Sequence, residues 1–264
     1  MKATLGIVVA LLLMGCAGNG YKQFYQEFPN ARDTVSRRTG PAPAVPSVDH
    51  VSAEVDTSMD YLRAGYVPIG SSSFNGAVGN ERDAIAQGVA VGADVVVLVS
   101  PQYTNTVSAN IPIVSPTTQT SHTTGNATVY GPGGVSTVNG SANTTTYGTR
   151  TTYVPVSTER YDFTAFYFVK RRFVFGGFFD RLSDSERARL GTNKGVKLTL
   201  IVNGTPAFDA DFLVDDILTA VNGQAIAGPE QVNDILASYA GQQVEFSVVR
   251  NNERINKTLR LNPL

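Results

Sequence analysis

The 264-residue sequence holds one cysteine, two histidines and no tryptophan, and only 16% of its side chains are charged. A lone cysteine excludes an intrachain disulfide. The histidines fall in poor places for catalysis: His50 closes a proline-rich stretch, and His122 lies in a segment without charge. Neither a Gly-x-Ser-x-Gly elbow nor a His-Glu-x-x-His helix is present, and no cluster of ligating side chains has metal-site spacing. The serines at 71–73 have no partner base and are expected to face solvent at a strand end. These absences argue for a protein that is not an enzyme, with no cofactor, no metal and no small-molecule substrate. A net charge of −1 gives no basic field for nucleic acid. Beyond the N-terminus no stretch approaches the roughly 18 consecutive apolar residues of a spanning helix.

The N-terminus carries a different signal. Lys2 precedes an apolar run over 5–14, which ends in Leu13-Met14-Gly15-Cys16. A short positive start, a hydrophobic stretch and a small residue before the cut describe a secretory signal. The stretch also resembles the processing box of bacterial lipoproteins. That resemblance implies a signal peptide over 1–15 and Cys16 as a first mature residue carrying lipid, palmitate among its acyl chains. Several chains make a durable anchor, at roughly 0.8 kcal/mol per buried methylene. Ala17 stands where inner-membrane members tend to carry aspartate, so the resemblance implies an outer-membrane location, facing the periplasm.

Residues 16–58 are polar and then proline-rich ("TGPAPAVPSVDH"), a composition expected to stay extended as a tether. Over 59–171 the pattern changes to an α+β layer. "YVPIGSSSF" reads as a strand. "NERDAIAQGVAVGAD" reads as a helix capped by Asn80, with Glu81 and Asp83 in its first turn and Gly92 at its end. "VVVLVS" is a buried strand, and "YDFTAFYFVK" returns beside it. Between the last two, no Asp, Glu, Lys or Arg occurs over 95–149. The insertion 104–152 contains a Gly-Pro-Gly-Gly turn between alternating stretches, and a long hairpin arm and a disordered loop fit it equally.

The C-terminal third, 172–264, has an ordered set of elements. The stretch "FVFGGFFDRL" places two glycines among aromatics. "LSDSERARLG" is a helix with a Ser183/Glu186 capping box, and "GVKLTLIV" is a buried strand. "DDILTAVNGQAI" ends in an Asn222-Gly223 turn, and a helix from Pro229 carries Val232, Ile235 and Leu236 on one face. "VEFSVVR" opens a closing hairpin. Together these motifs resemble the PDZ family in the bacterial form found beside trypsin-like envelope proteases.

The resemblance implies a partly open β-barrel with two helices, and capture of a polypeptide C-terminus as an added strand. Phe175, Gly176, Gly177 and Phe178 stand at the loop expected to hold the terminal carboxylate. The strand running on to Leu182 would pair with the ligand, and Phe178, Val232 and Leu236 would line a pocket for an apolar last residue. It also implies that a side chain at Gly177 blocks the ligand without harming the fold, and that Asp215-Asp216 is a turn element. Asp215 replaces a customary glycine, so that turn is expected to be built differently. The functional expectation is a lipid-anchored envelope adaptor or scaffold whose PDZ domain binds protein C-termini. The alternative is a structural or stress-sensing lipoprotein in which the PDZ-like domain is an internal packing unit and the insertion mediates assembly.

Overall fold

The computed structural model describes residues 18–54 and 58–264; Cys16 and the signal segment lie outside the described residues. Among the described residues no helix is long and apolar enough to cross a membrane. The chain divides into two compact units, one of them residues 103–160.

The first sheet of the larger unit is assembled from both sides of that segment. Its elements are α1 (Gly20–Gln23), β1 (Tyr25–Glu27), α2 (Ala31–Ser36), β2 (Ser47–Val51), α3 (Ser58–Arg63), β3 (Tyr66–Gly76) and α4 (Glu81–Val91), with the bases of β4 (Val95–Gly131) and β5 (Gly134–Lys170). The strand order is β1-β3-β5-β4-β2, with only β2 and β4 parallel. The α4 helix starts and stops as its sequence dictates: the Asn80 side chain accepts from the Arg82 amide, and Gly92 adopts the left-handed conformation. One sheet face buries Ile69, Val96, Ala165 and Tyr167 beneath Tyr21, Ala31 and Ala84; the other buries Val95, Val97 and Phe168 against Tyr61.

The extended tether expected over 16–58 is not what the described residues of that stretch form. β1 pairs with β3 through Tyr25↔Ser72, β2 pairs with β4 through Ser47↔Val95, and Arg38 forms an ion pair with Asp94. Tyr21, Ala31 and Thr34 are buried. Backbone pairing to two free sheet edges leaves little mark on hydrophobic periodicity, so a polar composition concealed it. The serine run also differs from expectation. Ser72 is fully buried, donating to the Tyr21 carbonyl at 2.6 Å and meeting the Tyr167 hydroxyl at 3.1 Å. Burial pushes that Tyr167 hydroxyl up to about 12.

In residues 103–160, β4 and β5 form an antiparallel hairpin turning at Pro132-Gly133. Its register is marked by Ser108 against Ser157 (3.0 Å) and Thr120 against Thr145 (3.5 Å). Of the two readings the composition left open, the hairpin is the one observed.

The second sheet contains β6 (Gly177–Arg181), β7 (Val196–Ile201), β8 (Ile217–Val221), β9 (Gln224–Ala225), β10 (Gln243–Arg250) and β11 (Glu253–Arg260). Three helices accompany it: α5 (Asp184–Leu190), α6 (Pro206–Asp209) and α7 (Pro229–Ser238). The order β11-β10-β8-β7-β6, with β9 on β8, is an open sheet and not the partly open barrel expected. Its core joins Leu198, Leu218, Ile226, Phe246 and Leu261 to Val232 and Leu236 of α7. The α5 capping box forms as the sequence predicts. Hydrogen bonds from the Ser183 hydroxyl and then the Ser183 amide hold the Glu186 carboxyl far below its ordinary range, at about 2. Asn222-Gly223 and Asn251-Asn252 take the paired positive φ angles of tight hairpin turns. Asp215 also has positive φ, 71°, so the turn keeps a backbone suited to glycine, which aspartate tolerates.

Candidate peptide-binding groove

The groove is built from one property of the segment that enters β6. Four successive carbonyls are engaged by the domain interior. Phe173 O accepts from Asn262 Nδ2 (3.0 Å), and Val174 O accepts from the Asn262 amide (2.9 Å). Phe175 O accepts from Ala207 and Gly176 O from Val202, both at 2.9 Å. In a trans peptide the following N–H points opposite to the carbonyl. The amides of Val174, Phe175, Gly176 and Gly177 are therefore turned away from these partners, and those of Val174, Phe175 and Gly176 donate no hydrogen bond among the described residues. Gly177 stands opposite Ile201, next to the hydrogen-bonded Gly176–Val202 pair, so antiparallel geometry also aims its amide at the open side of β6. Buried or half-buried amides without partners are costly, which marks this loop as a place for an acceptor.

β6 is a terminal strand of its sheet, and α7 runs beside it. Between them lies a cavity of about 440 Å³, lined by Phe173–Phe179 on one side and Pro229, Asn233, Leu236 and Ala237 on the other. Beyond it, Arg181 of β6 forms an ion pair with Glu230 of α7. That bond is the first cause of a lowered Glu230 carboxyl, and both side chains are 73% exposed, so the pair adds little stability.

The structure gathers five of the seven residues expected at this groove and separates two. Phe175, Gly176, Gly177, Phe178 and Leu236 line the cavity. Phe175 is also a core anchor, 2% exposed and in ring contact with Phe212 at 5.0 Å and Phe246 at 5.1 Å. Phe178 is half-buried, with the Phe173 ring 5.9 Å away. Val232 does not line the cavity; it is fully buried in the sheet core. Leu182 lies past the end of β6 in a separate cluster with Ile217 and Val249. On α7 the cavity is lined by 229, 233, 234, 236 and 237, whereas 232 and 235 are absent from its lining. The helical period was visible in the sequence, but which flank of its apolar face meets β6 was not.

Asp33 of α2 and Arg37 at its C-terminal end, with Arg171 and Arg172 of the connecting chain, also line the cavity, and sequence reasoning did not include them. Their involvement rests on residues more than a hundred positions apart, which no local motif signals.

The family comparison falls on this second sheet. Residues 180–261 match the family model for the PDZ domain, and a PDZ domain is present in this chain. No curated protein matches the chain. Among solved structures, the HtrA-type protease AlgW with a decapeptide is 17% identical, with a TM-score of 0.30, over 37% of this chain and 36% of that one. AlgW with a tripeptide is also 17% identical, at a TM-score of 0.32, over 37% and 39%. The HtrA3 PDZ domain bound to a phage-derived ligand is 13% identical, with a TM-score of 0.31, over 34% of this chain and 86% of that one. The match thus spans little more than a third of the AlgW chains.

Proposed function

We propose that this chain is a non-catalytic adaptor whose PDZ domain captures the extended C-terminus of another polypeptide. The observation that supports this most is the run of amides over Val174–Gly177, turned away from the partners of the loop's carbonyls, in a segment that lines a cavity between a free strand edge and a helix. A carboxylate brings several acceptor lone pairs to one point and satisfies converging donors at once, each charge-assisted bond being worth about 1.5–3 kcal/mol. Added strand pairing along β6 supplies affinity, and Phe178 and Leu236 give the pocket an apolar wall that suits an apolar last residue.

The test uses the full chain and a pool of heptapeptides ending in Val, Leu, Ile or Phe, prepared with a free C-terminus and again as the amide. Fluorescence anisotropy is expected to show saturable binding of the free acids, at least tenfold tighter than the amides. Equal affinity for both pools would refute carboxylate capture.

The same proposal places the adaptor on the outer membrane through lipid on Cys16, facing the periplasm. Its support is the Leu13-Met14-Gly15-Cys16 box behind an apolar run. Cys16→Ser is expected to move the chain from the membrane to the soluble fraction; retention in the membrane would overturn the anchor.

A further inference from the structure

The cavity at the unpaired amides is not made by the PDZ domain alone. Its outer wall comes from α2, more than a hundred residues away in sequence, and from the two arginines that lead into the loop. α2 is fixed there by backbone bonds: the Arg172 amide donates to the Arg37 carbonyl at 2.7 Å, and Arg38 bridges Arg171.

The charges on this wall do not balance locally. Arg37 Nε meets Asp33 Oδ1 at 2.9 Å, and Arg171 Nη2 meets Asp33 Oδ2 at 3.0 Å, so one carboxylate serves two guanidinium groups. Arg171 Nε is buried without a hydrogen-bond partner, and its guanidinium lies 5.5 Å over the Phe173 ring. Among the described residues the exposed Arg172 side chain has no hydrogen bond or ion pair. The remaining ionisable group on the lining is Asp234 of α7, which is exposed. Three cations thus face two carboxylates. Burial lowers the Arg171 pKa, against the opposing pull of Asp33, and the nearby Arg37 charge lowers it further.

We propose that α2 and the arginine that caps its end form part of the peptide site: Arg37, Arg171 and Arg172 draw the ligand's terminal carboxylate to the amide loop, and Asp33 of the helix is the internal counter-ion with which it competes. This rests on the reading of the groove as a C-terminus site. It assigns to the first sheet of the chain a direct part in affinity, so a PDZ domain separated from α2 loses part of its preference for the free acid. Removing a competing carboxylate strengthens ligand binding, and reversing a wall charge weakens it, each by several-fold for partly exposed groups.

The test measures the same free-acid and amide heptapeptide pools on the full chain, at low and high salt. Asp33→Asn is expected to tighten free-acid binding about threefold, and Arg37→Glu to weaken it about tenfold with a flatter salt dependence. Amide binding should change little in either. Arg37→Lys should retain most of the wild-type preference, which a purely structural role for the guanidinium would not predict. If the free acids bind the parent chain but Arg37→Glu leaves both affinity and salt dependence unaltered, α2 has no part in the site while the groove itself stands. If neither pool binds the parent chain, the groove reading fails and this inference falls with it.

Discussion

Arg250→Ala is expected to destabilise the C-terminal sheet by about 3–5 kcal/mol, because it leaves a buried carboxylate without its counter-charge. Asp216 is 1% exposed, and its two oxygens are held by Arg250 Nε and Nη2, each at 2.7 Å. The hydrogen bond to Asp216 raises the Arg250 pKa further above its ordinary value. Without arginine, the carboxylate retains only the Leu213 amide at 2.9 Å. The reciprocal change, Asp216→Ala, should cost less, about 2 kcal/mol. The Arg250 side chain is 27% exposed, so a stranded guanidinium still reaches water. Hydrogen exchange of the β8 and β10 amides in the full chain resolves the effect locally, where a global transition over two sheets need not be two-state. A loss below 1 kcal/mol in Arg250→Ala would show that the pair is not what holds this turn. The adjacent carboxylates are thus a turn element, and one of them anchors a β-strand.

Gly176→Ala is expected to cost about 3 kcal/mol, and it changes how the glycine pair is understood. Gly176 has φ of +94°, and a Cβ there would lie 1.9 Å from Thr205 Oγ1. That hydroxyl is buried and donates to the Val202 carbonyl at 2.6 Å, so it does not move away freely. Gly177 is nearly as confined, with a Cβ position 2.5 Å from Leu198 Cδ1 and 2.9 Å from Phe175 Cε1. A side chain at Gly177 therefore strikes the core, contrary to the expectation that it would block a ligand and spare the fold. The glycines serve the loop by letting it lie against α6 and β7, which is what engages its carbonyls and turns its amides outward. Thermal unfolding of Gly176→Ala against the double variant Gly176→Ala/Thr205→Gly separates contact from backbone strain. Partial recovery in the double variant is expected; an unchanged midpoint in Gly176→Ala would contradict the close packing.

Much of the second sheet was legible because its signals are local. Ser183 and Glu186 cap α5, Asn222-Gly223 and Asn251-Asn252 make their turns, and Pro229 opens α7, each through chemistry within a few residues. The first sheet was half legible for the same reason. Asn80 and Gly92 marked α4, but β1 and β2 join through backbone pairing across distant segments, and their polar sequence resembled an unfolded linker. At the groove, the resemblance to the PDZ family placed the glycine pair and Leu236 on the cavity, whereas Val232 and Leu182, assigned to it on the same ground, pack elsewhere. The amide geometry itself was invisible, because it depends on Asn262, Ala207 and Val202 taking the loop's carbonyls.

The most direct measurement of carboxylate capture follows the backbone amides of Val174, Phe175, Gly176 and Gly177 by NMR while free-acid heptapeptides are titrated into the full chain. The account predicts that these four resonances move downfield together and gain protection from exchange, and that the amidated peptides leave them in place. Saturable binding of the free acids with these amides unmoved would contradict it.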